Sequence, residues 1–562
     1  MSVLLFSLSL SLQILPTMIG SSPALNLSEV GKTSYHCHSE EEEKLIRDTI
    51  RCTNEALRCP EIKKGAIILR EKALKSDLER CHIAIAPQLP YDILCLIFEL
   101  HCQDELPAKL SFGSKPPQVT LPHVCLAWRR AVLDFPKLWS NIVIDIIVPQ
   151  SPHWVCFDKV VEIANAWLSR AKDLPCSTEF KFPQSEYDSE FHSEVDSEPV
   201  WRQDWHLNII KNFISRHKFK RLGVTFADHH LQDLLQLPDE KLSCIEDLCL
   251  QHIIFENDRN SELPDFHKLV NLTSFSLLPI PFVPMWTPGQ GGHILRFSNT
   301  MPWHQLRHIQ IRVDVPALFC LTMMERSLAT LETCSLVVSN IDWSVPLPFS
   351  CQEPLHCSRL RDFTVDVVSP PYAVKALDRF LLSLRLPNLK SLTIGRSGSC
   401  DYPRIPIHPR TLVMMQNSIP NMCLEELVIS DTALDIRAED LLKLFPSLRR
   451  LEFPFRNVTF TAATMRELGA GSIGANLEDL KIHDAGLVQG IVTLLQMVKT
   501  RSSNRKEDNM RRAKPTPFKS VVLYCGKARN TDDTEIDQLM EEIDRLGVSL
   551  KVIFADESGW EQ

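Results

Sequence analysis

From about residue 205 the chain repeats one pattern of apolar and polar positions. An apolar residue is followed by two others, a second apolar residue, one other, and a third apolar residue. The pattern occurs as Phe219/Leu222/Val224, Ile245/Leu248/Leu250, Leu272/Phe275/Leu277, Leu306/Ile309/Ile311 and Leu331/Cys334/Leu336. It continues as Leu360/Phe363/Val365, Leu389/Leu392/Ile394, Leu424/Leu427/Ile429, Leu448/Leu451/Phe453, Leu477/Leu480/Ile482 and Phe518/Val521/Leu523. Alternation at the end of each unit predicts a short strand that sends alternate side chains to one face. Helix-spaced stretches at 373–384, 438–444 and 486–498 then return the chain to the next strand. No unit can bury its own apolar face, so the units must stack on one another. A helix at 535–546 and a strand at 549–554 end the series.

Units start about 24 to 41 residues apart, a spacing that resembles leucine-rich repeats, although the asparagine that usually follows the strand is mostly absent. The resemblance implies an irregular solenoid over 205–555 that binds a protein.

Upstream, residues 88–145 carry a different pattern. Ile93, Leu94, Ile97 and Phe98 recur at helical spacing and predict one broad apolar stripe, with Pro90 in the first turn and Asp92 near the N-terminal end. After a Pro-containing insert, Val124, Cys125, Trp128 and Val132 form a second stripe, which Phe135-Pro136 stops. Leu138 and Trp139 precede a strand-like 141–145. So short a helical unit is too small to bury all these groups itself, and its Trp and Phe content suits a docking surface.

This stretch resembles an F-box, in the variant common in fungal proteins. The matching positions are Leu89, Pro90, Ile93, Leu94, Ile97, Phe98, Val124, Cys125, Trp128, Arg129, Pro136, Leu138 and Trp139. Asp92 stands where the family has Glu, Ala131 comes one residue early with Val132 in its place, and the insert 103–120 is long. The resemblance implies docking on the Skp-type adaptor of a cullin–RING (SCF-type) ubiquitin ligase through Leu89, Pro90, Ile93, Leu94, Ile97, Phe98, Val124, Cys125, Trp128, Leu138 and Trp139. The whole chain is then α/β: an all-helical F-box region followed by the leucine-rich-repeat-like solenoid.

The remaining segments fill in the organisation. Residues 1–39 read as a disordered leader, whose apolar run lacks a preceding Lys or Arg, so secretion through 1–24 is not expected. Residues 40–87 read as a helical lead-in, and 146–204 as a linker with a helix at 159–174, a short strand at 178–182 and an acidic loop at 184–200. Two loops interrupt the repeats: a Pro/Gly loop at 279–297 carrying Trp286, and a basic loop holding Arg501, Arg505, Lys506, Arg511, Arg512 and Lys514. Residues 556–562 form an acidic tail.

Composition narrows the function. A chain of 562 residues with net charge −9 is poorly suited to binding nucleic acid broadly. Its 18 cysteines are scattered without a CxxC pair and read as reduced, small apolar groups. Gly31-Lys32-Thr33 lacks the glycine and strand of a phosphate loop. His36-Cys37-His38 and His229-His230 lack a second ligand cluster at zinc spacing. No catalytic motif, cofactor site, metal site or membrane span is expected. The expectation is a non-enzymatic adaptor, cytoplasmic or nuclear, that holds an unknown protein substrate near a ubiquitin ligase core. The alternative is a repeat scaffold that recruits no ligase.

Overall fold

The computed structural model describes residues 44, 48, 89–110, 115–145, 155–181, 211–227, 231, 234–254, 265–278, 300–339, 353–368, 374–397, 405–407, 413, 423–430, 432–434, 437–454, 461–483, 488–503, 515–525 and 534–554. The leader and most of the lead-in, the acidic loop, the Pro/Gly loop, the basic segment beyond residue 503, both His clusters and the tail lie outside them. The chain divides into two compact units. One runs through Glu105 and takes up Pro117–Leu138; the other holds Leu106–Pro116 and everything from Trp139 onward.

In the first unit, helix α1 (Tyr91–Gln103) and helix α2 (Leu126–Asp134) pack through Phe98 and Trp128, whose rings meet edge-on at 5.0 Å. Leu94, Cys95, Phe98 and Cys102 of α1 are buried, as are Trp128, Ala131 and Val132 of α2. The Cys125 thiol accepts the Trp128 N–H and caps α2. Phe135 leaves helical geometry because Pro136 disfavours it there.

The second unit is built on one fifteen-stranded sheet in which every pairing is parallel. The strands are β1 (Ala108–Leu110), β2 (Asn141–Asp145), β3 (Cys176–Lys181), β4 (Phe219–Ala227), β5 (Asp247–Ile254), β6 (Ser274–Leu278), β7 (His308–Pro316), β8 (Thr333–Ser339), β9 (Leu355–His356), β10 (Asp362–Val368), β11 (Leu384–Arg385), β12 (Ser391–Ser397), β13 (Ile405–Ile407), β14 (Glu426–Ile429), β15 (Thr432–Leu434), β16 (Arg450–Pro454), β17 (Asp479–His483), β18 (Ser520–Cys525) and β19 (Ser549–Phe554). Only β9, β11, β13 and β15 stand apart, as two small parallel pairs; all others follow one another in sequence order. Helices α3 (Val155–Leu168), α4 (Ala317–Ser327), α5 (Val374–Leu382), α6 (Ala438–Leu444), α7 (Ala462–Ala470), α8 (Val488–Ser503) and α9 (Thr534–Arg545) return the chain between strands or precede the last one.

The ladder register reproduces the sequence repeat. Leu222 pairs with Leu248, and the row continues through Phe275, Ile309, Cys334, Phe363, Leu392, Leu427, Leu451, Leu480, Val521 and Leu550. From Leu222 to Val521 every side chain in this row is at most 2% exposed. Cysteines serve the same end: Cys95, Cys102, Cys176, Cys249, Cys320, Cys334, Cys357 and Cys525 are unpaired and buried.

The sheet begins before residue 205. The same row runs back from Leu222 to Thr178, Ile142 and Ala108. Two strands therefore lie inside the stretch read as an all-helical F-box. Of these, β2 coincides with the strand-like 141–145, and Trp139/Ile142/Ile144 fits the repeat pattern, whereas β1 falls within the insert 103–120. In the structure Trp139 is 2% exposed, meets the Trp167 ring edge-on at 4.7 Å and lies under the Arg170 guanidinium.

Register is reinforced by charge at the strand entries. Four opposite-charge pairs link neighbouring strands near their starts: Lys220 with Glu246 at 3.2 Å, Arg307 with Glu332 at 3.9 Å, Lys390 with Glu425 at 3.0 Å and Lys519 with Glu478 at 2.5 Å. Each such exposed pair contributes little energy, about 0–1 kcal/mol.

Arg501 departs from its expected place in the exposed basic loop. It belongs to α8, is 1% exposed and donates five hydrogen bonds to backbone carbonyls, those of Leu468, Gly474, Ala475, Leu477 and Thr516. Leu468 lies in the last turn of α7, the end of a helix that favours a cation. Burial lowers the Arg501 pKa to about 10, so it stays charged at neutral pH. Its guanidinium also stacks on Phe518 at 4.6 Å. Gly471 makes this turn possible: its φ is +75°, and a Cβ there would lie 2.2 Å from Pro515 Cβ.

Two outcomes follow from this packing. Thr178 occupies an apolar row position and its hydroxyl is buried without a partner. Thr178→Val is expected to stabilise the chain by about 1 kcal/mol in urea unfolding, and a destabilised variant would contradict the assigned burial. His217 binds Asn165 Oδ1 at 3.0 Å, and burial, followed by Lys241 and Arg216, lowers its pKa to about 4. The folded chain thus holds it neutral where an unfolded chain takes up a proton near pH 6.5. Its contribution is complete above pH 6.5 and is lost as pH falls toward 4. His217→Gln should lose less of its melting midpoint between pH 7 and 4.5 than the natural chain; parallel curves would count against this.

Candidate functional site

The residues expected to face an adaptor separate into two groups. Leu94, Phe98, Trp128 and Leu138 are 0–3% exposed and build the interior of the first unit. Trp139 belongs to the second unit, as described above. Ile93 is 38% and Val124 47% exposed; Pro90 is exposed, and Leu89, Ile97 and Cys125 are half-buried. The single broad stripe read from Ile93, Leu94, Ile97 and Phe98 is therefore two faces. In α1, Leu94, Phe98 and Cys102 point inward, while Ile93, Leu96 and Leu100, at i, i+3 and i+7, share the opposite side.

Leu96 and Leu100 are more than half exposed, and Tyr91, Leu126 and Leu133 are also solvent-facing. None of these five was singled out in the sequence. The signal was the uninterrupted apolar run from Ile93 to Phe98, too dense for one face of a helix. Lys137 and Glu99 pair on the surface of the same unit.

A second cluster lies on the polar face of the sheet. There the Glu452 carboxylate accepts hydrogen bonds from Lys481 Nζ and His483 Nε2, both to Oε1 at 2.8 Å. Arg450 Nη2 stands 3.9 Å from the other oxygen, while Arg450 Nη1 pairs with Glu426 at 3.0 Å. The His483 ring stacks on Tyr524, with centroids 4.6 Å apart and planes within 5°, and Lys481 Nζ lies 5.3 Å from the Tyr524 centroid. Burial by itself pushes the Glu452 pKa up, but the hydrogen bonds from His483 and Lys481 outweigh it and bring the value to about 2. Glu452 is therefore ionised throughout the physiological range.

Elsewhere on this face Arg312 pairs with Asp366, and Gly395 leaves room for the carboxylate, since a Cβ would lie 2.2 Å from Asp366 Oδ1. Burial raises the Asp366 pKa and Arg312 opposes the rise. Neither cluster is local in sequence. Only aligning the repeats on their apolar rows brings Glu452 beside Lys481 and His483 near Tyr524.

Among the described residues no group of three or more His, Cys, Asp or Glu side chains is placed to hold a metal ion. Burial pushes the Cys102, Cys176 and Cys525 thiols up to about 11 and Cys249 and Cys357 to about 12, leaving them protonated and poor nucleophiles at neutral pH. No described helix is long and apolar enough to cross a membrane. No known family model matches the chain, and no curated protein matches it.

The division of α1 into two faces has a direct consequence. Phe98→Ala should destabilise the chain by roughly 3–5 kcal/mol, whereas Leu96→Asp should change it by about 0.5 kcal/mol or less. Urea unfolding of both variants checks this, and comparable losses would refute the assignment of faces.

Proposed function

We propose that this protein is a non-enzymatic substrate-recognition adaptor of an SCF-type cullin–RING ubiquitin ligase. Its first unit, read as an F-box, docks on the Skp-type adaptor, and its strand array, read as a leucine-rich-repeat-like solenoid, presents a protein substrate. The observation that carries the reading is the second apolar face of α1, where Ile93, Leu96 and Leu100 remain exposed although the helix already has a packed side. An exposed apolar patch of this kind marks an interaction surface. The F-box resemblance identifies its partner. The role is one of proximity: a bound target lysine is held close to the conjugating enzyme at raised effective concentration.

A repeat scaffold that recruits no ligase is the second reading. It draws on the placement of β1 and β2, which lie within the F-box-like stretch yet start the sheet. Deleting 88–145 would therefore damage the array as well, and point substitutions are the better test.

The full chain carrying Leu96→Asp and Leu100→Asp should keep its melting midpoint and lose binding to purified Skp-type adaptor by at least about tenfold. Unchanged binding by the folded double variant, or no binding by the natural chain, would favour the scaffold.

A further inference from the structure

We infer that the polar face of β16–β18 is a docking point for an oxyanion carried by a bound polypeptide, either a carboxylate or a phosphorylated hydroxyl. This deepens the substrate-presenting reading of the array and rests on it.

The first support is how charge is layered. The carboxylate at the centre, Glu452, has a side chain only 10% exposed, whereas Lys481, His483 and Arg450 around it are 30%, 35% and 50% exposed. The negative charge is covered and the donors face outward. Lys481 has three N–H groups and uses one on Glu452, and Arg450 retains donors beyond its bond to Glu426.

The second support is preorganisation. Glu452 fixes Lys481 and His483 through a single oxygen, and Tyr524 braces both, by stacking on His483 and by lying near the Lys481 ammonium. Donors held in place before binding lose less entropy when a ligand arrives.

Position gives the third support. One lateral row of this face reads Ser276, Gln310, Ser335, Thr364, Thr393 and Val428 before it reaches Glu452 and Lys481. Along this row from Ser276 to Val428 no side chain is charged, so Glu452 and Lys481 are the next charges it meets. The carboxylates of Glu426 and Asp479 lie in the row nearest the strand entries. An incoming oxyanion is thus directed toward the strand exits, where His483 and Tyr524 sit. The Arg312–Asp366 pair on the same face is a closed one-to-one pair.

The test uses the full chain and four fluorescent pools of random peptides, equal in length and identical except for a fixed central Glu, Gln, phosphoserine or Ser. Anisotropy should show the Glu or phosphoserine pool binding about three- to tenfold tighter than its uncharged counterpart, with the gap shrinking as salt rises. Tightening with Glu alone identifies a carboxylate, with phosphoserine alone a phosphate, and with both a general oxyanion site. Lys481→Met and Arg450→Met should each reduce the gap, and Arg450→Met should do so at an unchanged melting midpoint. Should Lys481→Met fail to fold, Arg450→Met, at a half-exposed position, decides. Absence of any gap in the natural chain, or a gap that survives in the folded variants, overturns the inference. Adaptor binding is measured on the same samples. Lost preference with adaptor binding intact overturns this site alone, and preference without adaptor binding overturns only the ligase reading.

Discussion

The structure depends on one requirement: every strand of the sheet must deliver apolar side chains to the same lateral rows. A parallel strand gains its hydrogen bonds in any register, but a one-residue slip would turn its apolar positions to the polar face. The row from Leu222 to Val521, buried along its length, removes that freedom. Spacing between repeats can then vary, because the returning segments need only reach the next strand in phase. Loops of unequal length are cheap compared with a misplaced row.

Polar groups are tolerated inside this arrangement only where they are satisfied. Arg501 is the clearest case, a buried cation whose Nε, Nη1 and Nη2 all donate to backbone carbonyls at a helix end and a turn. An unsatisfied charge at that depth would cost several kcal/mol. On the opposite face of the sheet the constraint relaxes, and differences between strands can serve recognition. Glu452, Lys481, His483 and Tyr524 use that freedom, each next in sequence to an apolar row position and so on the other face.

The first unit follows another logic. Its helix α1 holds more apolar surface than its interior uses, and that surplus is what recommends it as a docking element. The ligase reading assigns the surplus to an adaptor and the polar sheet face to a substrate. Adaptor binding and substrate recognition then draw on different residues and can be separated by substitution.

The sequence by itself determined the repeating strands, their register and the thiols' role as core groups, because burial in a parallel sheet imposes a short local pattern. The same pattern located α1 and α2 and the last strand. Tertiary structure decided what no local pattern could. It split Ile93 from Leu94 and placed Trp139 in the unit that holds the sheet. It also buried Arg501, which a basic neighbourhood had marked as exposed, and it gathered Glu452, Lys481, His483 and Tyr524 onto one face. Periodicity records which side of an element is apolar. Which partner covers that side, and which side chains from different strands meet, depend on contacts between residues far apart in the chain.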